Sequence, residues 1–417
     1  MQFGNNDDVE CVSQTSLARA GLDIVTFVTD SFSDRRRAMI KDVGLAAFVV
    51  VVCLVPSVVS YGITIGSSSL GKKSTALNVL RELNRSDRLA NYVSQQGTAV
   101  VTGGNSGIGA VTVETLALSG MRVVLCARNP ESAQSSVVDK LSPSLRPLVE
   151  IQPLDLADLT LVEQAAADIV ASLLKGPEKK NKKISVLINN AGLLASSSGK
   201  QMTAQNLELM FGVNHVGHHL WTRLLLPHMA TNGRVVTVAS EAHRFATTSS
   251  SSNLSWERSD YVGFRDYGQS KLANVLFATR LQELCLQQGR SDVSSVSLHP
   301  GVVGTNLWRD TPAISGINRL VKPLLDAAFF DKTTQQGAAT TVYCALAQRV
   351  EGGAYYQDCR VASASPTAED CATRMDLWDY TEQLLESKGF LLPATLFSTT
   401  AESMTTTDEE EASAVAE

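Results

Sequence analysis

The fold of this chain is decided by the stretch "TAVVTGGNSGIG", residues 98–109. A short apolar and β-branched run, typical of a buried strand, leads directly into a turn with glycines at 103, 107 and 109. Glycine permits the tight turn, and the helix predicted to follow begins there with its N–H groups free. Because such a helix start suits a pyrophosphate, the stretch predicts a dinucleotide-binding turn; a turn that needs glycine only for packing is the alternative.

The pattern that begins at this turn continues to about residue 390. Further strand-like runs, "RVVLCAR", "VEIQPLD", "ISVLINNAG", "RVVTVAS" and "VSSVSLHPG", are separated by helical stretches. Strands that are apolar throughout and alternate with helices are typical of a parallel sheet covered on both faces. Residues 97–390 therefore predict a single catalytic domain with an α/β fold, a doubly wound parallel sheet of the Rossmann type.

The segments outside this domain have a different texture. Residues 43–65 carry no charge and are long enough to cross a bilayer core of ~30 Å, so we expect a transmembrane anchor there. A signal peptide read from Met39 is the alternative. Residues 1–42 are expected to be disordered, 66–96 to form a linker helix, and 391–417 to be an acidic disordered tail.

Composition excludes several functional classes. The net charge of −6 resides in the acidic tail, so no nucleic-acid binding is expected. The seven cysteines show no paired spacing, which argues against a disulfide framework or a zinc site and favours a reducing compartment. His215 and His219 stand four residues apart, but no nearby carboxylate completes a ligand set, so no metal is expected.

The stretch "DYGQSKLANVLF", residues 266–277, predicts a packed helix on which Tyr267 and Lys271 lie one turn apart. A free tyrosine, with a pKa of ~10, is a poor base at neutral pH. A lysine cation one turn away favours the phenolate and lowers that pKa. The pair therefore predicts Tyr267 as a general acid/base and Lys271 as the residue that tunes it.

The end of the second predicted strand bears on the cofactor. Ala127 and then Arg128 stand where dinucleotide folds that accept NAD usually carry an acid for the ribose 2′-hydroxyl. A guanidinium matches a 2′-phosphate, so the sequence favours NADP(H) over NAD(H). An ordinary surface arginine is the alternative.

Several motifs in order resemble the short-chain dehydrogenase/reductase superfamily: "TGGNSGIG", "NNAG" (189–192), Ser240, "YGQSK" (267–271) and "HPG" (299–301). The longer stretches "FGVNHVGHHLWTRLLLP", "VVTVASEAHRF" and "YGQSKLANVLFATRL" resemble its retinol dehydrogenase branch. The resemblance covers residues 97–390.

The resemblance implies roles for individual residues. Tyr267 and Lys271 would be joined by Ser240, which hydrogen-bonds the substrate oxygen, and by Asn214, which anchors a proton-relay water. Lys271 would also hold the nicotinamide ribose. Asp155 matches an acid beside the adenine, although it could equally cap a helix, or do both. The residues expected to contact the cofactor are Gly103, Ser106, Gly107, Ile108, Gly109, Arg128, Asp155, Asn189, Ala191, Gly192, Tyr267, Lys271, Pro300, Gly301, Val303 and Thr305.

Together these features predict a membrane-anchored NADP(H)-dependent oxidoreductase that interconverts an apolar alcohol and its aldehyde or ketone. A retinoid, a steroid or a fatty aldehyde would be the substrate, and a homodimer is left open. The expected location is a membrane crossed once, of the endoplasmic reticulum or alternatively a plastid. One alternative is a protochlorophyllide reductase-like enzyme that reduces a C=C bond, against which "NNAG" and the cysteine-free "LAN" after Lys271 argue. Another is a non-catalytic superfamily member that senses the cofactor.

Overall fold

A single mixed sheet organises the described part of the chain, which comprises residues 70–174, 183–195, 200–246, 263–304 and 332–397 of a computed structural model. Its strands follow the order β3-β2-β1-β4-β5-β6-β7-β8, and neighbours are parallel except for β8, which is antiparallel to β7. The strands are β1 Thr98–Thr102, β2 Arg122–Ala127, β3 Val149–Pro153, β4 Ile184–Asn189, β5 Met229–Val238, β6 Ser294–His299, β7 Tyr355–Gln357 and β8 Arg360–Ala362.

Helices pack on both faces of this sheet, as the alternating sequence pattern predicted. They are α1 Ala76–Arg85, α2 Asn91–Ser94, α3 Gly107–Leu118, α4 Pro130–Ser136, α5 Leu159–Leu174, α6 Leu209–Phe211, α7 Gly217–Leu225, α8 Gly263–Gln287, α9 Thr334–Leu346, α10 Pro366–Glu369 and α11 Cys371–Ser387. A π-helical segment, Gly212–Val216, joins α6 to α7.

Strand residues point alternately into two hydrophobic cores. Val100 and Leu187 belong to the core shared with α5, α7, α8 and α11, whereas Val101 and Ile188 belong to the core shared with α1, α3 and α9. All residues of β1 and β4 are buried, as expected for central strands covered on both faces. The predicted doubly wound α/β fold is therefore confirmed.

The strand order reverses between β1 and β4, and this topological switch point determines where a ligand can bind. Chain direction leads from β1 to β2 and β3 on one side, and from β4 onward on the other. In open α/β sheets the crevice at the carboxyl ends of the strands beside this point is the usual ligand site. Thr102 ends β1 and Asn189 ends β4, so the glycine turn and the "NNAG" motif meet there.

Helix α1 packs into the catalytic fold, although its sequence predicted a linker. Its buried side chains join the core formed by α3 and α9, and Thr75 closes its first turn with a capping box. Tyr92, which follows in α2, donates a hydrogen bond from its hydroxyl to the carbonyl of Ala345 in α9. The packed domain thus begins near Leu70, earlier than the predicted boundary at residue 97.

The carboxyl end of the domain also extends further than predicted. Leu396 is buried and its N–H donates to Gln288 Oε1 at 2.8 Å, while the Arg290 guanidinium lies 4.3 Å from the centroid of the Phe397 ring. Residues 391–397, assigned from the sequence to the disordered tail, therefore belong to the packed domain. The rest of that tail lies outside the described residues.

Membrane attachment is a point on which the sequence prediction is corrected. In the described ranges, no helix is both long and apolar enough to cross a bilayer. Helix α8 is long enough at 25 residues, but it carries charged side chains such as Asp266, Lys271 and Arg280. The expected span, 43–65, lies outside the described residues. The single-pass membrane localisation and the N-terminal transmembrane helix are therefore not supported by the structure.

Candidate active site

Tyr267 and Lys271 lie on α8 with both side chains buried, at 4% and 3% exposure. The Lys271 ammonium is 5.8 Å from the centroid of the Tyr267 ring, and it donates a hydrogen bond to the carbonyl of Val238 at 3.1 Å. Asn274, one turn further along the helix, donates to the same carbonyl at 3.2 Å. Helix α8 is therefore fixed against the end of β5, with the tyrosine and the lysine on the face toward the sheet.

Ser240 completes the catalytic cluster from the sheet side. It stands two residues beyond the end of β5 and begins a 3₁₀ helix, Glu241–Phe245, with its hydroxyl accepting from the N–H of Ala242 at 3.2 Å. The same hydroxyl hydrogen-bonds with Tyr267. Because Ser240 is partly exposed, its hydroxyl and the tyrosine can be reached together by one substrate oxygen.

Asn214 sits in the π-helical segment, a local irregularity that is often found at functional sites. Its amide is held on both sides: Oδ1 accepts from the N–H of Leu193 at 2.9 Å, and Nδ2 donates to the carbonyl of Leu193 and to Ser270 Oγ, each at 3.0 Å. A Cβ added at Gly192 would lie 3.0 Å from Lys271 Nζ and 3.5 Å from Asn214 Oδ1. The four predicted catalytic residues are thus brought together, and a side chain at Gly192 would crowd the Lys271 ammonium.

Burial acts on the tyrosine and the lysine in opposite directions. It raises the pKa of Tyr267 to about 12, although the hydrogen bond from Ser240 lowers it, and it lowers the pKa of Lys271 to about 8. From the sequence we expected a lowered tyrosine pKa; burial instead makes the net shift upward, and that expectation is corrected. Both groups lie in a low-dielectric environment that penalises their charged forms, and Lys271 gives its hydrogen bond to a backbone carbonyl.

The glycine turn has the conformation that its sequence predicted. Gly103 and Gly107 adopt φ values of +65° and +55°, which other residues rarely accept. A Cβ at Gly109 would lie 2.2 Å from the carbonyl oxygen of Gly103, so the helix can approach the turn only with glycine there. Ser106 precedes α3 without a side-chain cap, and Ile108 is partly exposed. The N–H groups at the start of α3 therefore have no capping side chain, as an anion site requires.

Thr102 and Asn190, which sequence reasoning did not assign to the site, tie the turn to β4. The Thr102 hydroxyl accepts from the backbone N–H groups of Asn190 and Ala191, each at 3.0 Å. Asn190 Nδ2 donates to the carbonyls of Thr102 and Gly103 at 2.8 and 3.2 Å. Asn189 instead turns its fully buried amide toward Thr222, to which it donates at 2.9 Å, so only its backbone faces the switch point.

His218 is a further buried link that the sequence analysis did not identify. Its Nδ1 lies 3.0 Å from the carbonyl oxygen of Asn214, and its Nε2 lies 2.8 Å from Thr102 Oγ1. A carbonyl only accepts, so Nδ1 carries the proton and the threonine hydroxyl donates to Nε2. Burial lowers the pKa of His218 to about 4, which keeps the ring neutral. Its position one helical turn after Asn214 was the available signal.

The residues predicted to contact the adenosine end of the cofactor are more exposed than Tyr267 and Lys271. Arg128 is exposed directly after β2, on the edge of the sheet that carries the glycine turn. Asp155 Oδ1 accepts from the N–H of Ala157 at 2.9 Å, whereas the first turn of α5 is capped by Asp158, which accepts from Thr160 at 3.0 Å. Of the two roles left open for Asp155, capping of α5 therefore falls to Asp158.

The segment after β6 lies at the same edge. Gly301 follows Pro300 with φ +96°, and a Cβ there would lie 2.5 Å from the side chain of Lys332. Lys332 is itself buried and paired with Asp358 at 2.5 Å. Val303 forms an isolated bridge with Lys332. Thr305 lies outside the described residues.

The two other histidines near Asn214 belong to the packing against α11. His219 Nε2 lies 2.6 Å from Glu382, which also pairs with Arg223 at 2.9 Å. Burial alone would raise the pKa of Glu382, but His219 and Arg223 hold it at about 2. His215 contacts Thr381 at 3.1 Å. Within the described ranges, no group of three or more His, Cys, Asp or Glu side chains is arranged to hold a metal.

A small apolar cluster borders the catalytic residues. Met210, Ala242 and Tyr267 are buried in it, and three partly exposed residues pack against them: Leu193, Leu194 and Ala195. Leu193 is also the residue whose backbone holds Asn214. The open side of this cluster is therefore an apolar wall next to the Ser240 and Tyr267 hydroxyls.

This fold and constellation define a nucleotide-dependent oxidoreductase class, and the chain belongs to the short-chain dehydrogenase family, whose model (short chain dehydrogenase) matches residues 97–314. Within it the chain is retinol dehydrogenase-like. Human retinol dehydrogenase 12 is 34% identical over 290 residues, which cover 69% of this chain and 85% of that protein. Short-chain dehydrogenase TIC 32 B, chloroplastic, of Brassica napus is 32% identical over 340 residues, covering 77% and 96%.

Two further comparisons agree with this membership. The WW domain-containing oxidoreductase of Homo sapiens is 35% identical over 300 residues, which cover 69% of this chain and 68% of that protein. The crystal structure of an uncharacterized protein from Mycobacterium paratuberculosis is similar with a TM-score of 0.53 and 29% sequence identity, covering 72% of this chain and 95% of that one.

Proposed function

We propose that this protein is an NADP(H)-dependent oxidoreductase that interconverts an apolar alcohol and its aldehyde or ketone by hydride transfer. The observation that carries the proposal is the contact between the Ser240 and Tyr267 hydroxyls, beside the buried Lys271 and at the edge of an apolar wall. A carbonyl oxygen seated between two hydroxyls is polarised by both, and one of them can supply its proton.

The residues around the switch point fit a dinucleotide. Gly103, Gly107 and Gly109 keep the backbone open where side chains would collide, and the uncapped start of α3 presents N–H groups for a pyrophosphate. Gly192 leaves room next to Lys271, where a nicotinamide ribose would be held. When bound, the nicotinamide supplies or accepts the hydride.

The protonation states suit carbonyl reduction. With a pKa of about 12, Tyr267 stays protonated at neutral pH and can donate to the carbonyl oxygen as negative charge develops there. Ser240 hydrogen-bonds the same oxygen. Lys271, with a pKa of about 8, is largely charged at pH 7 and stabilises the phenolate that remains on Tyr267. Asn214 holds the backbone of Leu193 against the π-helical segment, next to Lys271.

The cofactor preference rests on Arg128. It is exposed at the end of β2, where an acid would repel a 2′-phosphate and a guanidinium attracts one. The preceding residue, Ala127, is buried and brings no competing charge. We therefore propose NADP(H) as the cofactor.

The substrate class rests on the apolar wall formed by Leu193, Leu194 and Ala195 with Met210. Burial of an apolar chain against such a wall contributes about 25 cal/mol per Å² of surface removed from water. The name of the relative retinol dehydrogenase 12 supports an alcohol of this kind. A retinoid, a steroid and a fatty aldehyde all have the required combination of one oxygen and an apolar body.

A substrate panel tests the proposal. Purified protein is mixed with NADPH or NADH and with retinaldehyde, a steroid ketone or decanal, and nicotinamide oxidation is followed by absorbance. We expect turnover with at least one carbonyl and a preference for NADPH of at least about tenfold in kcat/KM. Absence of turnover with every carbonyl, in protein that binds NADPH, contradicts the proposed activity.

A further inference from the structure

His243 connects the catalytic serine to a distant part of the chain. It lies in the 3₁₀ helix that follows Ser240 and is 1% exposed. Its Nδ1 lies 2.7 Å from the carbonyl oxygen of Ser240, and its Nε2 lies 3.0 Å from the backbone nitrogen of Ser365. Ser365 caps α10, which leads into the C-terminal helix α11. One imidazole thus bridges the backbone of Ser240 to that of Ser365, which lies 122 residues beyond the histidine.

The proton on this ring can be assigned from its partners. The Ser240 carbonyl only accepts, so Nδ1 of His243 must carry the proton. The Ser365 N–H only donates, so Nε2 must be unprotonated. Burial lowers the pKa of His243, which agrees with a neutral ring. Both ring nitrogens are therefore committed, and neither is free for proton transfer with a substrate.

The contact fixes the backbone of Ser240 closely. Its carbonyl accepts from both the backbone N–H of His243, at 3.1 Å, and the ring Nδ1–H. Its hydroxyl accepts from the N–H of Ala242 within the same turn. The direction of the serine hydroxyl toward Tyr267 is consequently set by the short helix that His243 holds in place.

Arg244 makes a second, independent connection between the 3₁₀ helix that follows Ser240 and the residues that precede α10. Its guanidinium donates to the carbonyls of Ser363 and Ala364 at 2.6 and 3.1 Å, and it pairs with Glu241 at 2.5 Å. Residues 363–365, which we call the C-terminal strap, are thereby held by three side-chain contacts from the helix that begins at Ser240. The His243 ring also packs 5.1 Å from the Tyr355 ring in β7.

We propose that His243 is a positioning residue that couples the orientation of the catalytic Ser240 to the C-terminal strap. The proposal rests on the proposed function, because it gives Ser240 a substrate oxygen to orient. The donor nitrogen of His243, Nδ1, fixes the Ser240 backbone, and its acceptor nitrogen, Nε2, fixes the strap. The two nitrogens therefore have separable effects: the first holds the Ser240 carbonyl directly, and the second only joins the helix after Ser240 to the strap.

Two conservative substitutions separate these effects. The amide of Asn in His243→Asn can replace Nδ1–H but cannot reach Ser365, whereas the amide oxygen of Gln in His243→Gln can replace Nε2 but leaves the Ser240 carbonyl without its side-chain donor. We expect His243→Gln to lower kcat at least about tenfold, and His243→Asn, which keeps a donor for the Ser240 carbonyl, to keep kcat within about threefold. Arg244→Gln, at an exposed position, weakens the contact with the strap carbonyls and should also keep kcat within about threefold.

The controls distinguish the possible failures. NADPH affinity, measured by fluorescence titration, should stay within about threefold in all variants and shows that each is folded. His228→Gln, at the opposite end of β5 from Ser240, should leave kcat and KM unchanged. No turnover in the wild-type protein contradicts the proposed function. Wild-type turnover that persists in both His243 variants with unchanged kcat and KM overturns the role of His243, as does an equal loss of kcat in the two.

Discussion

At the scale of single residues, the site depends on two buried groups whose pKa values are moved in opposite directions by burial. The Tyr267 hydroxyl and the Lys271 ammonium share one face of α8 and lie in the same water-poor environment. The penalty for charge raises the pKa of the first to about 12 and lowers that of the second to about 8. The tyrosine is therefore held as an acid, and the lysine is the group whose charge changes closest to neutral pH.

The pH dependence of catalysis should report on this lysine. Because its pKa is lowered, Lys271 loses its proton near pH 8 instead of near 10.5, and above that pH it no longer stabilises a phenolate. We expect kcat/KM for carbonyl reduction to fall above an apparent pKa of about 8. In Lys271→Arg, which stays charged, this alkaline limb should move to higher pH even if the rate is lower. An alkaline limb that remains near pH 8 in Lys271→Arg contradicts the assignment.

Arg128 provides a second test at this scale. Removing its guanidinium in Arg128→Ala should weaken NADPH binding by about 10- to 100-fold, the range of a charge-assisted contact, and leave NADH binding almost unchanged. Arg122→Ala, an exposed arginine at the other end of β2, is the matched control and should affect neither cofactor. Fluorescence titration measures both. Equal weakening of NADPH and NADH would mean that Arg128 does not read the 2′-phosphate.

At the scale of elements, strands and the glycine turn could be predicted, whereas packing partners could not. The runs "TAVVTGG" and "ISVLINNAG" are apolar throughout and bounded by turn residues, and both form central strands. Nothing in the local pattern of α1 indicates that its apolar face meets α9, some 260 residues further along the chain, because that pairing is set by the whole fold. The π-helical segment around Asn214 was likewise invisible to helical periodicity.

The packing of α1 makes a prediction that a mere linker would not. Leu83, 1% exposed in the core with α9, should destabilise the catalytic domain when changed to alanine, by roughly 2–4 kcal/mol in the free energy of unfolding. Arg81→Ala, on the exposed side of the same helix, should change it by less than about 0.5 kcal/mol. Denaturant unfolding followed by circular dichroism measures both. Equal stability of the two variants would show that α1 is not part of the cooperative unit.

At the scale of the whole molecule, residues far apart in sequence become a site because a parallel sheet brings its strand ends to one edge. Ser240, Tyr267 and the glycine turn could be grouped from motif order alone, and the structure places them at the β1/β4 switch point. The links through Thr102, His218 and His243 could not be foreseen, because each depends on a contact between residues 88 to 122 positions apart. The membrane anchor was inferred from apolar length alone, and the described helices do not support it.

The central claim is that the site at this edge of the sheet allows hydride transfer from NADPH to a carbonyl carbon while Tyr267 supplies the proton. The most direct measurement uses NADPH with both hydrogens at the nicotinamide C4 replaced by deuterium and an aldehyde substrate, with mass spectrometry of the alcohol formed. Wild-type protein should place deuterium on the carbinol carbon, and Tyr267→Phe should form that product at least ~10² more slowly while its NADPH affinity stays within about threefold. Alcohol without deuterium, or near-normal turnover in Tyr267→Phe, would contradict the claim.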